Sequence, residues 1–430
     1  MIDSAARALH GIGPLHGTIE MPPDKSIAQR AALFAPLSQT TSVLENYPRA
    51  ADPQSALSVM EQLGVGIQRS GTTVTIVGVG KNGLRAASGP IDCGNSGTTM
   101  RLLSGILAGQ SFESILVGDA SLSRRPMRRV AHPLSEMGAH ISLTNGCAPM
   151  TLHGGATSGV HFALPVPSAQ VKSCMLLAGL FASGKQTVEE IIPSRDHTER
   201  MLGLSPMRSS QGSVLWETSR QHEVPNQSRR IPGDFSSAAF FLVAGTIVAG
   251  SDIVLRETGL NPTRTASLAV LKRMGAQVEI MDERVEQGEP VGTIRVTAAP
   301  LQATVVEGAE VPNLIDEIPI LALAATQAIG VTTFRDAAEL RVKETDRIEA
   351  IADTLRRMGA RVETFADGLA IEGPTTLRGN VVDSGGDHRI AMMAGVAAQV
   401  ASGTTTILNA GAASVSYPDF WEHLQGLSAS

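Results

Sequence analysis

GNSGTTMRLLSGILAGQSFESILVGD, residues 94–119, joins a polar motif, an apolar helix pattern and a β-like run that ends at an acidic residue. The same succession occurs six times, with β-like runs at residues 39–46, 110–119, 184–190, 250–257, 330–336 and 403–409. The six helices begin at the motifs DKSIAQR, GNSGTTMR, SAQVKS, GDFSSA, LIDEIP and GGDHR. A spacing of roughly 60 to 80 residues exceeds the common solenoid periods. We therefore interpret the chain as six copies of one α/β unit.

Four of the copies also predict a second helix that stops at a glycine. Gly64, Gly138, Gly275 and Gly359 each follow an apolar residue at the end of a helical pattern, and a strand-like alternation comes next. Copies one to three fill the first half of the chain and copies four to six the second, separated by the polar, turn-rich residues 205–231. We predict two α/β domains of three copies each, with the crossing between them in residues 205–231.

The composition excludes several classes of protein. The 430 residues carry a net charge of −6, which gives no basic footprint for nucleic acid or an anionic membrane, and aromatic residues make up only 3%. The three cysteines, Cys93, Cys147 and Cys174, lack the spacing of a metal site or disulfide framework. Neither a secretory signal nor an apolar run of about 20 residues is present, so we expect a soluble cytoplasmic protein.

Basic residues stand at the starts of four of the six helices. They are Lys25, Arg101, Lys172 and Arg389. The positive end of the helix dipole disfavours a cation there, unless the helix end and the side chain share an anionic ligand. The alternative is that these are solvated surface cations.

The segment RVKETDR, residues 341–347, places five charges before an amphipathic helix pattern. Glu344 with Arg347, and Lys343 with Asp346, are i,i+3 neighbours, so surface ion pairs are one interpretation. The other is that a carboxylate among two arginines and a lysine exchanges protons with a bound substrate.

Three further motifs have both a functional and a plain structural interpretation. GNSGTTMR forms either a backbone nest for a phosphate or carboxylate, or an ordinary Ser/Thr-capped helix. RRPMRR, residues 124–129, is either an anion clamp or a solvated basic loop. Asp387-His388-Arg389 has no second histidine or cysteine nearby, so we expect no metal site there.

Together these motifs resemble the enolpyruvyl transferase family over essentially the whole chain. DKS-x-x-x-R, GNSGT-x-x-R, RP-M, SAQ, RVKETDR and DHR-x-AM occur in the family's order. The resemblance implies an α/β fold with two inside-out α/β barrel domains, each of three βαβαββ units, and an active site in the interdomain cleft. Residues 1–20 would join residues 233–430 in one domain, and residues 21–232 would form the other.

The resemblance also implies a reaction. The enolpyruvyl group of phosphoenolpyruvate would pass to the 5-hydroxyl of shikimate 3-phosphate through a tetrahedral intermediate, with release of phosphate, in the shikimate pathway of aromatic amino-acid biosynthesis. No cofactor and no metal would take part. The partners would be these small-molecule substrates alone, without nucleic acid or membrane, and the enzyme would be a monomer in the cytoplasm.

The residues that match the family's motifs receive roles from the resemblance. Asp316 would accept the 5-hydroxyl proton, Glu344 would protonate the methylene carbon and later remove a proton, and Lys25 would be a third catalytic residue. The implied contacts to shikimate 3-phosphate are Lys25, Ser26, Arg30, Ser168, Ala169, Gln170, Ser194, Arg195, Asp316 and Lys343. The implied contacts to phosphoenolpyruvate are Lys25, Gly97, Arg125, Gln170, Arg347 and Arg389.

Some positions depart from the family's pattern. Leu102 stands where many members have proline, Ala169 replaces a second serine, and Val415 lies about where some members have a lysine that binds phosphoenolpyruvate. The SAQVKS and SRDHTER motifs resemble a glyphosate-tolerant subgroup, whereas Gly97 is not the alanine linked to tolerance. Both responses to glyphosate stay open.

Two alternatives differ from this interpretation in specific residues. A sister transferase that acts on UDP-N-acetylglucosamine typically has a cysteine in a mobile loop near an arginine, and the RRPMRR loop contains none. A non-catalytic scaffold that binds anions would need no carboxylates for proton transfer, yet Asp316 and Glu344 are both present. Both observations favour the enzyme that acts on shikimate 3-phosphate.

Overall fold

The computed structural model describes residues 6–427. Contacts between Cα atoms divide the chain into two compact units. Pro23–Ile231 form the middle unit, and the described residues before and after this segment form the terminal unit. Within the described residues, no helix is long and apolar enough to span a membrane.

The described part of the chain contains twelve α-helices. They are Lys25–Phe34 (α1), Ala51–Gln62 (α2), Gly97–Ala108 (α3), Arg128–Glu136 (α4), Ala169–Gly179 (α5), His197–Leu202 (α6), Phe235–Ile247 (α7), Ala266–Arg273 (α8), Ile318–Ala325 (α9), Arg347–Arg357 (α10), His388–Val400 (α11) and Phe420–Gly426 (α12). The six predicted helix starts open α1, α3, α5, α7, α9 and α11, so this prediction is confirmed.

The same residues contain twenty-four β-strands. They are Arg7–Leu9 (β1), His16–Glu20 (β2), Ser42–Glu45 (β3), Ile67–Ser70 (β4), Thr73–Ile76 (β5), Ile91–Asp92 (β6), Ser114–Val117 (β7), His140–Thr144 (β8), Cys147–His153 (β9), His161–Ala163 (β10), Lys185–Glu190 (β11), Met207–Arg208 (β12), Val214–Ser219 (β13), Arg229–Arg230 (β14), Asp252–Gly259 (β15), Gln277–Glu286 (β16), Glu289–Thr297 (β17), Leu301–Gln302 (β18), Val305–Val306 (β19), Ala328–Phe334 (β20), Arg361–Phe365 (β21), Gly368–Gly373 (β22), Val381–Asp383 (β23) and Thr405–Leu408 (β24). Each of the six predicted β-like runs contains or overlaps one of them.

The middle unit repeats one sheet three times. The strand orders are β14-β3-β5-β4, β6-β7-β9-β8 and β10-β11-β13-β12. In each sheet the first two strands are parallel, and the other neighbours are antiparallel. A unit that recurs in sequence therefore recurs in topology.

The terminal unit contains the other three copies. Two sheets, β2-β15-β17-β16 and β18-β20-β22-β21, follow the same parallel-then-antiparallel pattern. In the third, β23 pairs in parallel with β24, and β1 from the start of the chain pairs antiparallel on the other side. Strands β1 and β2 thus supply edges for sheets built mostly from the second half of the sequence.

The six helices that open the copies form the centre of each unit. Helices α1, α3 and α5 pack together in the middle unit, and α7, α9 and α11 in the terminal unit. Small residues permit the close approach: a Cβ on Gly105 of α3 would lie 2.2 Å from the carbonyl oxygen of Cys174 in α5. Such close approach of two helix backbones requires small residues at the contact.

The polar residue at the end of a β-like run often turns the chain. Asn46, Glu257, Asp336 and Asn409 all have φ between 55° and 56°. A left-handed conformation is uncommon outside glycine. Because it recurs in four copies, the polar residue at the end of each of these runs sets the direction of the backbone there.

The predicted crossing at residues 205–231 is wrong. This segment contains β12 and β13, which complete the third sheet of the middle unit, and β14, which pairs with β3. The boundary between the units follows Ile231. Polar, turn-rich composition here reflects short strands at a surface, and not a linker.

Candidate active site

Arg347, the first residue of α10, gathers three carboxylates in the terminal unit. Its side chain is 2% exposed. Nε donates to Asp387 Oδ2 at 2.8 Å, Nη2 to Glu344 Oε2 at 2.5 Å, and Nη1 to Asp316 Oδ1 at 3.2 Å. The predicted i,i+3 pair of Glu344 and Arg347 is confirmed, but it belongs to a cluster of partly and fully buried carboxylates around a buried arginine.

The charges in this cluster stabilise one another. Burial alone would lower the pKa of the Arg347 guanidinium, but the charges of Asp387, Glu344 and Asp316 raise it. Burial alone would raise the pKa of the Asp387 carboxyl, but Arg347 holds that pKa below its ordinary value. The two partners therefore stay ionised in the interior, where an isolated charge would be very unfavourable.

Lys343 reaches the same cluster. Its Nζ lies 3.5 Å from Asp316 Oδ1 and 3.5 Å from Glu339 Oε1. The sequence suggested Asp346 as its partner, and this interpretation is wrong. Asp346 caps α10 and pairs with Arg341 at 2.7 Å, because the N-cap position turns its carboxylate towards the helix start.

Arg389 is anchored to the backbone of Asp316, one of the residues bonded to Arg347. Asp387 caps α11 and accepts from the Arg389 backbone N–H at 2.9 Å. Arg389 Nη1 donates to the Asp316 carbonyl oxygen at 2.7 Å and lies 3.5 Å from Glu317 Oε1. The fully buried Glu317 also accepts from the Ser236 hydroxyl.

Asp387 and Glu317 were not among the sequence-predicted site residues. A signal for Asp387 was present, since it occupies a helix N-cap. Glu317 also carried a signal, because an acidic residue directly precedes the very apolar sequence of α9. His388, which follows Asp387 in the motif, is buried, with Nδ1 3.9 Å from Asp387 Oδ1. Among residues 6–427, no three His, Cys, Asp or Glu side chains are grouped as metal ligands would be.

In the middle unit, the first turn of α1 presents Lys25 and Ser26. Asp24 caps the helix, and Lys25 Nζ lies 3.2 Å from Asp52 Oδ2. Lys25 is half-buried and retains partial exposure, with 20% of its side-chain surface accessible. A cation at this helix start is available to an anionic ligand.

Arg30, one turn further along α1, is buried among hydroxyl groups. Its Nε donates to Thr198 Oγ1 at 2.9 Å, Nη1 to the Ser26 carbonyl at 3.1 Å, and Nη2 to Ser173 Oγ at 3.3 Å. Ser173 and Thr198 also bond each other at 2.7 Å. These contacts connect α1, α5 and α6.

Gln170 connects the starts of α5 and α3. Its Oε1 accepts from Arg101 Nη1 at 2.6 Å, and its Nε2 donates to Thr98 Oγ1 at 2.9 Å. Gly97, the first residue of α3, leaves room for this network, because a Cβ there would lie 2.9 Å from Arg101 Nη1 and 3.5 Å from Arg125 Nη1. Ser96 caps α3.

Arg125 lies beside the same helix start. It donates to Asn95 Oδ1 at 2.8 Å and to Ser121 Oγ at 3.2 Å, and Asn95 in turn donates to Asp119 Oδ2 at 2.7 Å. Arg124 and Arg128 of the same motif are exposed. The RRPMRR motif thus contributes one half-buried arginine beside the helix start, while two others lie at the surface.

The start of α5 holds the remaining predicted residues. Ser168 caps the helix and Ala169 is its first residue. Ser194, buried in the loop after β11, donates its hydroxyl to Glu190 Oε2 at 2.9 Å, and the half-buried Arg195 follows it.

Lys172 does not serve as a cation open to ligand, so this part of the helix-start interpretation is wrong. Its side chain is 0% exposed, and Nζ lies 2.7 Å from Glu190 Oε1 and 2.8 Å from Glu199 Oε1. Burial lowers the pKa of Lys172, but the carboxylates of Glu199 and Glu190 raise it overall. Lys172 is the fourth residue of α5, and this position turns its side chain into the unit's interior.

Solved structures first identify the class of fold. The enolpyruvyl transferase NikO from Streptomyces tendae superposes with a TM-score of 0.79 over 98% of this chain and 97% of that chain, at 18% identity. EPSP synthase from Acinetobacter baumannii superposes with a TM-score of 0.86 over 98% of both chains, at 38% identity. The fold is therefore that of the enolpyruvyl transferases.

Sequence relatives identify the family within this class. The proteins named 3-phosphoshikimate 1-carboxyvinyltransferase from Salinibacter ruber and Geobacillus kaustophilus are 51% and 47% identical, each over 97% of this chain and 98% of the relative. The family model of EPSP synthase (3-phosphoshikimate 1-carboxyvinyltransferase) matches residues 9–424. The chain belongs to the EPSP synthase family, and the predicted family, fold class and enzyme class are confirmed.

Proposed function

We propose that this chain transfers the enolpyruvyl group of phosphoenolpyruvate to the 5-hydroxyl of shikimate 3-phosphate, giving 5-enolpyruvylshikimate 3-phosphate and phosphate. Membership of the family supports the reaction. The observation that carries the residue assignment is that Asp316 and Glu344 both bond to the buried Arg347. An enzyme of this kind needs two carboxyl groups held in fixed relation, one for the hydroxyl and one for the carbon.

The proposed chemistry uses these two groups in sequence. Asp316 accepts the proton of the 5-hydroxyl as its oxygen bonds to C2 of phosphoenolpyruvate, and Glu344 gives a proton to C3, which becomes a methyl group. In the second step the C2–O bond to phosphate breaks, the departing phosphate takes the proton held by Asp316, and Glu344 takes one proton back from the methyl group, so both carboxyl groups return to their starting state. Every step is a proton transfer or a change at a C–O bond, so the proposal includes no metal and no cofactor.

Anion-binding side chains in both units support the choice of substrates. Phosphoenolpyruvate and shikimate 3-phosphate are both polyanions, and charge-assisted hydrogen bonds from arginine and lysine bind such groups strongly. The proposed phosphoenolpyruvate contacts are Lys25, Gly97, Arg125, Gln170, Arg347 and Arg389. The proposed shikimate 3-phosphate contacts are Lys25, Ser26, Arg30, Ser168, Ala169, Gln170, Ser194, Arg195, Asp316 and Lys343.

A phosphate-release assay tests the proposal. The enzyme is incubated with phosphoenolpyruvate alone, with shikimate 3-phosphate alone and with both. We expect phosphate only with both substrates, in equal amount to the new enolpyruvyl product. If both substrates together gave no phosphate, the proposal would be wrong. The monomeric state and the cytoplasmic location stay predictions from the sequence.

A further inference from the structure

A lysine that the proposed reaction does not use is buried at the centre of the middle unit. Lys172 of α5 bonds Glu190, the last residue of β11, and Glu199 of α6, and its Nζ donates to the Ser194 carbonyl oxygen at 3.2 Å. Burying a charged group is costly unless its partners compensate for the lost water. Such a cluster in the interior calls for an explanation beyond stability, because apolar residues would pack there at less cost.

Glu190 extends the cluster to the loop that precedes α6. Its Oε2 accepts from the Ser194 backbone N–H at 3.1 Å and from the Ser194 hydroxyl at 2.9 Å. Its Oε1 accepts from Lys172 at 2.7 Å and from Trp216 Nε1 at 3.0 Å. All four hydrogen bonds are donated to the carboxylate.

The backbone of Ser194 is therefore held at both ends. Glu190 accepts a hydrogen bond from the N–H of Ser194, and Lys172 donates one to its carbonyl oxygen. The single hydroxyl hydrogen of Ser194 can be given either to Glu190 or to a ligand, but the two backbone bonds stay in place in both cases. The direction in which the chain continues to Arg195 is fixed by these bonds.

We propose that Glu190 and Lys172 are positioning residues for shikimate 3-phosphate, which hold Ser194 and Arg195 ready for its phosphate group. This inference rests on the proposed function. Glu199 differs from Glu190 in one respect that matters: it pairs with the same lysine, but no described hydrogen bond joins it to Ser194. The two glutamates form a matched pair for substitution, because removing either one leaves Lys172 with one buried carboxylate.

Glutamine at position 190 would break a specific contact. An amide has one accepting oxygen and one donating NH₂ group. The amide oxygen would turn towards the ammonium of Lys172. The NH₂ group would then face the backbone N–H of Ser194, which would lose its hydrogen-bond acceptor. Glutamine at position 199 would leave the Ser194 contacts unchanged.

The test is steady-state kinetics of Glu190→Gln, Glu199→Gln and the unsubstituted enzyme. We expect Glu190→Gln to raise KM for shikimate 3-phosphate about tenfold, with KM for phosphoenolpyruvate changed less than about twofold. Glu199→Gln is expected to change both constants less than about twofold. Equal changes in both KM values of Glu190→Gln, or the same profile in both variants, would overturn the inference.

A second measurement keeps the inference testable if Glu190→Gln fails to fold. Hydrogen exchange in the unsubstituted, ligand-free enzyme should show a protected Ser194 amide, since its N–H bonds a buried carboxylate. A rapidly exchanging amide would contradict a preformed loop. Failure of the proposed function is distinguished from both results, because it appears as an absence of phosphate release in the unsubstituted enzyme.

Discussion

Arg347 Nη1 donates a hydrogen bond of 3.2 Å to Oδ1 of Asp316, and Nη2 of the same guanidinium bonds Glu344. The two carboxylates proposed for proton transfer are thus tied to one buried side chain. A planar guanidinium fixes the directions of its donors. In this structure the relative placement of Asp316 and Glu344 therefore depends on Arg347.

Glu344→Gln should remove most of the turnover and leave substrate binding nearly intact. The amide keeps the size of the side chain but cannot exchange the proton, a contribution of about 10²- to 10⁴-fold in kcat. Steady-state kinetics and equilibrium binding of both substrates measure the two effects. Glu349→Gln, which changes an exposed glutamate in the first turn of the helix that follows, α10, is the control. Turnover close to normal in Glu344→Gln would contradict the assignment.

Gly97→Ala should weaken phosphoenolpyruvate binding. The added Cβ lies 2.9 Å from Arg101 Nη1, so this side chain must move and its 2.6 Å bond to Gln170 is disturbed. We expect KM for phosphoenolpyruvate to rise about tenfold, equivalent to ~1.4 kcal/mol. Gly89→Ala, where a Cβ meets nothing within 4 Å, should leave the kinetics unchanged. An unchanged KM for phosphoenolpyruvate in Gly97→Ala would show that the α3 start does not contact this substrate.

Asp387→Asn should destabilise the protein at neutral pH and much less in acid. The folded pKa of Asp387 lies below its ordinary value, so its stabilising contribution is present above the unfolded pKa of about 3.9 and is lost as the pH falls through the folded pKa. Removing one partner of a buried ion pair costs about 3–5 kcal/mol.

Thermal unfolding of both proteins from neutral to acid pH measures this dependence. The difference in Tm should be constant above about pH 5 and shrink below about pH 4. Asp353→Asn, which removes an exposed partner of Arg357, is the control and should change Tm little. A Tm difference that stays constant down to acid pH would be inconsistent with an ionised Asp387.

Only one of the three cysteines should react quickly with a thiol reagent in the folded protein. Burial raises the pKa of Cys174 to about 12 and also raises that of Cys93, so neither forms the reactive thiolate at pH 8. Cys147 is half-buried and more accessible. Titration with a chromogenic disulfide should count one thiol before unfolding and three after it. Two or three fast thiols in the folded state would mean that the packing around Cys93, after β6, or around Cys174 of α5 is looser than described.

The sequence predicted the helices and strands that recur in the six copies, and it predicted where those helices begin. Polar motifs such as DKSIAQR mark helix starts because Asp24 and its counterparts cap them, and such local signals do not require knowledge of tertiary contacts. Segment 205–231 was misjudged because short, half-exposed strands have the same composition as a linker. Sequence periodicity does not reveal pairing between strands that are distant in the chain, such as β14 with β3.

Charged residues were harder to assign than elements. Lys172 and Lys25 both stand near helix starts, but Lys172 is fully buried, whereas Lys25 keeps 20% of its side-chain surface exposed beside Asp52. The difference comes from Glu190 and Glu199, which approach Lys172 from later parts of the chain. Likewise, the third carboxylate on Arg347 is Asp387, 40 residues away, which no i,i+3 rule can supply.

Turnover in deuterium oxide tests the central claim, that Glu344 carries a proton to and from the methylene carbon. If Glu344 protonates C3 from solvent and the methyl group then loses one hydrogen, the enolpyruvyl product must contain deuterium in its methylene group. Mass spectrometry of the isolated product, with the Glu344→Gln variant as control, makes the measurement. The account predicts deuterium at this carbon with the unsubstituted enzyme; product formed at the normal rate without deuterium would contradict it.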